Sequence, residues 1–163
     1  MPEPAFTKVT QVAVVVRSID DAVRTYNDVY GIGPWSILEF NPDTVEDMVR
    51  DDRPHEHAMR LATTMVGDVM WELIEPLDER SIYWEFLQQH GEGLHHVGVG
   101  VPDYDAALAG LREKGHVVSQ GGRFRGTRYA YVDTEPQLGA LIELIDWNRA
   151  GDATPDRTYP PTA

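Results

Sequence analysis

Cysteine is missing altogether from the 163 residues, cations are scarce, and no apolar run is long. Without thiols there is neither a disulfide framework nor a thiolate site, so any metal must be held through nitrogen and oxygen. Fourteen Lys and Arg against 27 Asp and Glu leave a net charge of −13. That sign argues against nucleic acid, whose phosphates are met by cations, and against anionic membrane surfaces. It also sits awkwardly with a polyphosphate-bearing substrate. One local basic cluster stands out, Arg123, Arg125 and Arg128, which reads either as a phosphate site or as a solvated hairpin turn. Apolar runs stop at five or six residues, far short of the roughly 20 that span a bilayer. The opening Met1-Pro-Glu-Pro4 has no basic region ahead of an apolar core. A cytoplasmic location is the expectation.

What is present is a repeat. Gln11-Val-Ala-Val-Val-Val-Arg-Ser-Ile-Asp-Asp-Ala22 runs in step with His96-Val-Gly-Val-Gly-Val-Pro-Asp-Tyr-Asp-Ala-Ala107 at a constant offset of 85. Trp71-Glu-Leu-Ile74 is echoed by Ile142-Glu-Leu-Ile145. Each half therefore opens a strand with a coordinating side chain, Gln11 or His96, and closes one with a carboxylate, Glu72 or Glu143. Matching ligands in duplicated units point to a site built between them.

Hydrophobic residues make up 42% and charged residues 25% of the chain, the balance of a soluble globular domain. Val9–Val16 reads as a β-branched strand. Ser18 followed by Asp20 and Asp21 signals a helix start, and Gly31 with Gly33-Pro34 its end. Trp35–Phe40, Ala58–Val66 and Val69–Ile74 read as strands, with residues 41–57 an acidic loop and candidate lid. In the second half, Leu94–Val101 is a strand, Asp103–Lys114 a helix, and His116–Ser119, Arg128–Asp133 and Leu141–Ile145 strands. The expected architecture is α+β: two βαβββ modules, 9–75 and 94–147, forming a cupped eight-stranded mixed sheet with helices on its outer face. Residues 76–93 are a linker with a short helix, and 148–163 a flexible C-terminal tail.

Side chains alternate faces along a strand. Gln11 and His96 then share a face with small residues (Ala13; Gly98, Gly100), opposite an all-valine face suited to packing on a helix. Glu72 and Glu143 sit among large apolar neighbours, where burial is costly unless a cation or a proton is found. Two such glutamates in one small domain indicate a metal site, or a raised pKa that makes one a general base. Trp35, Tyr83, Trp84, Phe124 and Tyr129 are candidates either to line the cup or to fill the core. His55 and His57 have metal-ligand spacing, and equally that of a solvated loop.

At these residues the chain resembles the vicinal oxygen chelate superfamily, in which paired βαβββ modules cup a divalent metal. The resemblance covers residues 9–147. Its most specific stretch is Trp71-Glu-Leu-Ile-Glu-Pro76, Ser81 to Phe86-Leu87, and Gly91-Glu-Gly-Leu-His-His-Val97, similar to methylmalonyl-CoA epimerases and glyoxalase-like relatives; Leu141-Ile-Glu-Leu144 matches the closing strand. It implies Gln11, Glu72, His96 and Glu143 as metal ligands, the metal being Zn, Ni, Co, Mn or Mg. There are departures. The epimerases usually carry His where this chain has Gln11, and Gln where it has Glu72; the set Gln, Glu, His, Glu instead resembles some glyoxalase I enzymes. The epimerases' second catalytic glutamate aligns with Arg60, which implies an arginine binding a substrate carboxylate or enolate oxygen. The function implied is a metal-dependent isomerase, epimerase or lyase acting on a small carbonyl or acyl substrate through an enolate or enediolate, with Glu143 or Glu72 shuttling the proton. The alternatives are a non-catalytic binding protein of the antibiotic-sequestering kind and a non-haem iron dioxygenase. A homodimer is expected by fold analogy.

Overall fold

The valine face of each repeat packs a helix against its own half. The computed structural model describes residues 6–149, 151 and 154–161. The first half is β1 (Lys8–Val15), α1 (Ile19–Tyr30), β2 (Trp35–Phe40), a hairpin of β3 (Val45–Arg50) and β4 (Arg53–Pro54), then β5 (Met59–Val66) and β6 (Val69–Pro76). After α2 (Ile82–His90), the second half gives β7 (Gly93–Gly100), α3 (Tyr104–Glu113), β8 (Val118–Phe124), β9 (Thr127–Val132), one-turn α4 (Glu135–Leu138) and β10 (Leu141–Ile145). A 3₁₀ turn, Trp147–Arg149, and β11 (Arg157–Tyr159) follow. Ser18 caps α1 by accepting from the Asp21 backbone N–H, and Asp103 caps α3 by accepting from Ala106. The stop glycine of α1, Gly31, has φ 67°, a conformation that costs glycine little. Val14 and Val16 pack with Ile19 and Val23 of α1, and Val97, Val99 and Val101 with Tyr104 and Leu108 of α3.

The sheet has eleven strands in the order β11-β2-β5-β6-β1-β7-β10-β9-β8-β3-β4. Its central eight are the two modules, joined antiparallel through β1 and β7. Val12 lies opposite Val97, its own counterpart in the repeat, so a pseudo-twofold axis passes between them. Symmetry then places Glu72 beside Ala13 and Glu143 beside Gly98. The sheet curls into a cup: Phe40 on β2 and Phe124 on β8, at opposite edges of the eight, stack with ring centroids 3.8 Å apart.

Three strands extend the expected eight. The acidic loop folds as the β3–β4 hairpin, turning at Asp51 and Asp52, both with positive φ, as two-residue hairpin turns require. It crosses to pair with β8 of the other half, and Val45 and Met48 enter the core. The tail, expected to be flexible, returns to the first half, where β11 pairs with β2 and Tyr159 packs on the outer core. Each half thus covers the free sheet edge of the other. Whereas α1 and α3 lie outside the cup, α2 seats at its floor: Tyr83 and Leu87, one turn apart, pack with Ala13 and Val15.

His57, just ahead of β5, is fully buried, with no hydrogen-bond partner for either ring nitrogen among the described residues. Burial lowers its pKa from 6.5 to about 4. The unfolded chain takes up this proton below pH 6.5 and the folded chain only near 4, so stability falls as pH drops through that window, by roughly 3 kcal/mol in all. His57→Leu should remove this component. Urea unfolding at pH 7.5 and pH 5 is expected to show a smaller acid loss in the variant than in the native protein.

Candidate metal centre

The parity of β1 and β7 puts Gln11 and His96 on the concave face, and the parallel strands β6 and β10 deliver Glu72 and Glu143 beside them. All four are buried. Gln11 Nε2 donates to Glu72 Oε2 at 2.8 Å and to Glu143 Oε2 at 3.0 Å, and lies 3.1 Å from His96 Nε2. His96 Nε2 is 3.1 Å from Glu143 Oε2 and 3.7 Å from Glu72 Oε2. The approach depends on Gly98, where a Cβ would lie 2.6 Å from Gln11 Cβ.

The cluster is short of protons. An amide nitrogen carries two hydrogens, both directed here at carboxylates, and a buried pair of carboxylates needs further compensation. Burial, and after it the neighbouring Glu143, push Glu72 well above the ordinary carboxylate range. A proton on Glu72 is one remedy and a cation is the other. The donor set suits a cation. Metal–ligand bonds of about 2.1 Å set neighbouring ligand atoms roughly 3 to 3.5 Å apart, close to the spacings found here. Turning the Gln11 amide over would bring a fourth lone pair, Oε1, to the same point. Among the described residues no three His, Asp or Glu side chains form a ready metal cage on their own. Gln11 is the member that ties this group together.

Behind the cluster, His95 Nδ1 lies 2.9 Å from His96 Nδ1. One of the two rings donates across this contact and the other accepts. Burial, and after it the neighbouring His96, hold His95 well below the usual histidine range, in keeping with a neutral ring. Such a contact fixes the ring of a ligating histidine. Tyr131 packs edge-on against His96, centroids 4.7 Å apart, and bonds Tyr83 through its hydroxyl at 2.7 Å. Above the cluster opens a cavity of about 230 Å³, whose walls include Leu38, Phe40, Met59, Leu61, Phe124 and Ile145. Residues of both halves line it, so the cup is complete within one chain.

Residues 10–131 match the sequence profile of the glyoxalase/bleomycin resistance protein/dioxygenase superfamily. The chain belongs to that superfamily. It is 28% identical to the protein YqjC of Bacillus subtilis over 145 residues, 85% of this chain and 91% of that one. It is 27% identical over 108 residues to the mitochondrial methylmalonyl-CoA epimerase of Mus musculus, covering 66% of this chain and 53% of the mouse protein. Among solved structures, methylmalonyl-CoA epimerase from Mycobacterium tuberculosis superposes with a TM-score of 0.61 at 26% identity, covering 89% of this chain and 91% of that one.

Within this superfamily fold, Arg60 is not brought to the cluster. On β5 the cup-lining positions are Met59, Leu61 and Thr63. Arg60 lies on the opposite face, 3.6 Å from Glu75 and 3.7 Å from Glu39. Of the aromatic candidates, Phe124 and Tyr129 line the cup. Trp35 lies in the core under α1, Tyr83 sits beneath the cup, and Trp84 is half-buried on α2. His57 and His55 are separate from the cluster, His55 Nε2 lying 3.1 Å from the Arg80 carbonyl. The sequence reading missed Tyr131, although the alternation that places Tyr129 in the cup places Tyr131 there too.

Proposed function

We propose that this protein is a metal-dependent enzyme that transfers the α-proton of a small carbonyl compound through an enolate or enediolate. The observation that carries the reading is the convergence of Gln11, Glu72, His96 and Glu143 on one proton-poor point beneath an apolar cavity. These four side chains would hold a divalent ion, which when bound supplies Lewis-acid stabilisation of charge developing on substrate oxygen. The chain itself does the rest. A carboxylate, Glu143 or Glu72, takes and returns the proton. Apolar walls exclude water from the reacting carbon, and His95 keeps the His96 ring in place. Epimerisation by two opposed bases calls for an acid or base across the cup, but Met59, Leu61 and Thr63 hold the facing strand. One shuttling carboxylate suits isomerisation or elimination better.

A non-catalytic binding protein is the second reading, favoured by the Gln11 amide, which already bridges both carboxylates and His96. One imidazole, where iron-dependent oxygenases use two with a carboxylate, gives a dioxygenase no support. Protein purified without chelator is expected to carry about one divalent ion per chain and to exchange the α-proton of 2-hydroxyacetophenone with deuterated water. Chelation should stop the exchange and added metal restore it. Ligand binding with no exchange, with or without metal, would point to the second reading.

A further inference from the structure

The charge on the cup wall bears on what it takes. Among the described lining residues there is no Lys or Arg. With the proposed ion held by Gln11, Glu72, His96 and Glu143 and taken up by the carbonyl head, the rest of the wall offers an anion nothing to offset its loss of water. Arginines near enough to be recruited are already paired. Arg60 is held by Glu39 and Glu75 on the far face of the sheet. The basic stretch across the β8–β9 hairpin is paired residue by residue: Arg123 with Asp47 at 2.8 Å, Arg125 with Asp156 at 3.5 Å, and Arg128 with Asp105 and Asp146 at 2.7 Å each. A phosphate would have to break these pairs.

What the wall offers in place of cations is neutral. Tyr129 lines the cavity, and its buried hydroxyl has no hydrogen-bond partner among the described residues. Burial, and after it Glu143, raise its pKa, so it stays a protonated donor. The volume, about 230 Å³, lies below the roughly 300–1,000 Å³ that enclose a drug-sized ligand.

From these observations we infer that the cup takes an uncharged carbonyl compound with an apolar or aromatic body, and neither an acyl-CoA nor a carboxylic acid. The inference rests on the proposed carbonyl chemistry for its reacting group, while the walls decide the rest of the molecule. A charged group away from the reacting head would need a cation on the wall, and the cup-facing positions of β5 hold Met59, Leu61 and Thr63 instead.

The test is calorimetric titration of the metal-loaded native protein with 2-hydroxyacetophenone and with its 4-carboxy derivative. The two share a reacting head and differ by one negative charge on the ring, where it meets the wall. The neutral probe is expected to bind at least about tenfold more tightly. Thr63→Arg, which adds a cation at a half-buried lining position, should close or reverse that gap; Met70→Lys, on the neighbouring β6 wall, does the same should the first variant fold poorly. Equal or tighter binding of the carboxylate to native protein, failure of the neutral probe to bind, or preferential binding of methylmalonyl-CoA would overturn the inference. Proton exchange is read separately. A neutral probe that binds without exchanging defeats the proposed reaction and leaves the ligand class standing, whereas exchange confined to the charged probe does the reverse.

Discussion

Glu143→Gln is expected to slow α-proton exchange by roughly 10²–10⁴-fold, the usual worth of a positioned general base, while the fold persists. The change keeps the volume and leaves an amide oxygen for the Gln11 N–H, so the 3.0 Å contact has a chemically sensible successor. What it removes is the basicity and one of two buried like charges. Glu72, held up partly by Glu143, should move back toward the ordinary carboxylate range, and thermal stability should hold or rise slightly. Two readouts separate the roles open to this residue. Metal retained with exchange lost marks Glu143 as the base; metal lost as well marks it as a ligand. Full exchange in the variant would exclude Glu143 as the base and leave the proton to Glu72; full exchange in Glu72→Gln as well would sink the proposed reaction.

Gly98→Ala should damage both the fold and the site. The new Cβ would lie 2.6 Å from Gln11 Cβ and 3.2 Å from Ile145 Cδ1. A Cβ is fixed by its own backbone, so relief requires β1 and β7 to part where the two halves join. Overpacking of this sort costs about 1–3 kcal/mol, and it displaces Gln11, the side chain that links the cluster. Gly100→Ala, two residues on, is the matched control. There the new Cβ meets Cε and Cγ of Lys8, parts of a flexible side chain that can swing aside, and Thr10 Cγ2 at 3.3 Å. The expected result is a clear loss of melting temperature and of bound metal at 98, and little of either at 100. Equal behaviour of the two variants would show that the close approach of Gln11 does not govern the site.

The convergence of the four ligand candidates was legible because two simple periodicities coincide. Strand alternation selects the face for Gln11 and His96, and the duplication selects the partner strands for Glu72 and Glu143. Arg60 shows how narrow that logic is. On Ala58-Met-Arg-Leu-Ala62 a one-residue error of alignment moves the side chain through the sheet, and Met59 and Leu61 take the cup positions. The β3 strand was hidden by its own irregularity. Asp47 sits at φ 53° and the pairing with β8 shifts register between Glu46 and Val49, so the buried pair is Val45 and Met48, three residues apart rather than two. The strand β11 contributes one apolar side chain, Tyr159, and its pairing is set by the open edge of β2, which no local pattern announces. Eight strands follow from composition and repeat; the three that trim the edges follow from where the sheet ends.

The reciprocal covering of edges has a consequence for how the molecule is made. The first half emerges complete with its helix and four module strands, yet β2 keeps an unpaired edge until Arg157–Tyr159 arrive, and the hairpin β3–β4 has no seat until β8 exists. Domains of a growing chain ordinarily settle in order from the N-terminus. Here the earlier half must wait on the later one, and in the interval its open strand is a surface on which two nascent chains can pair.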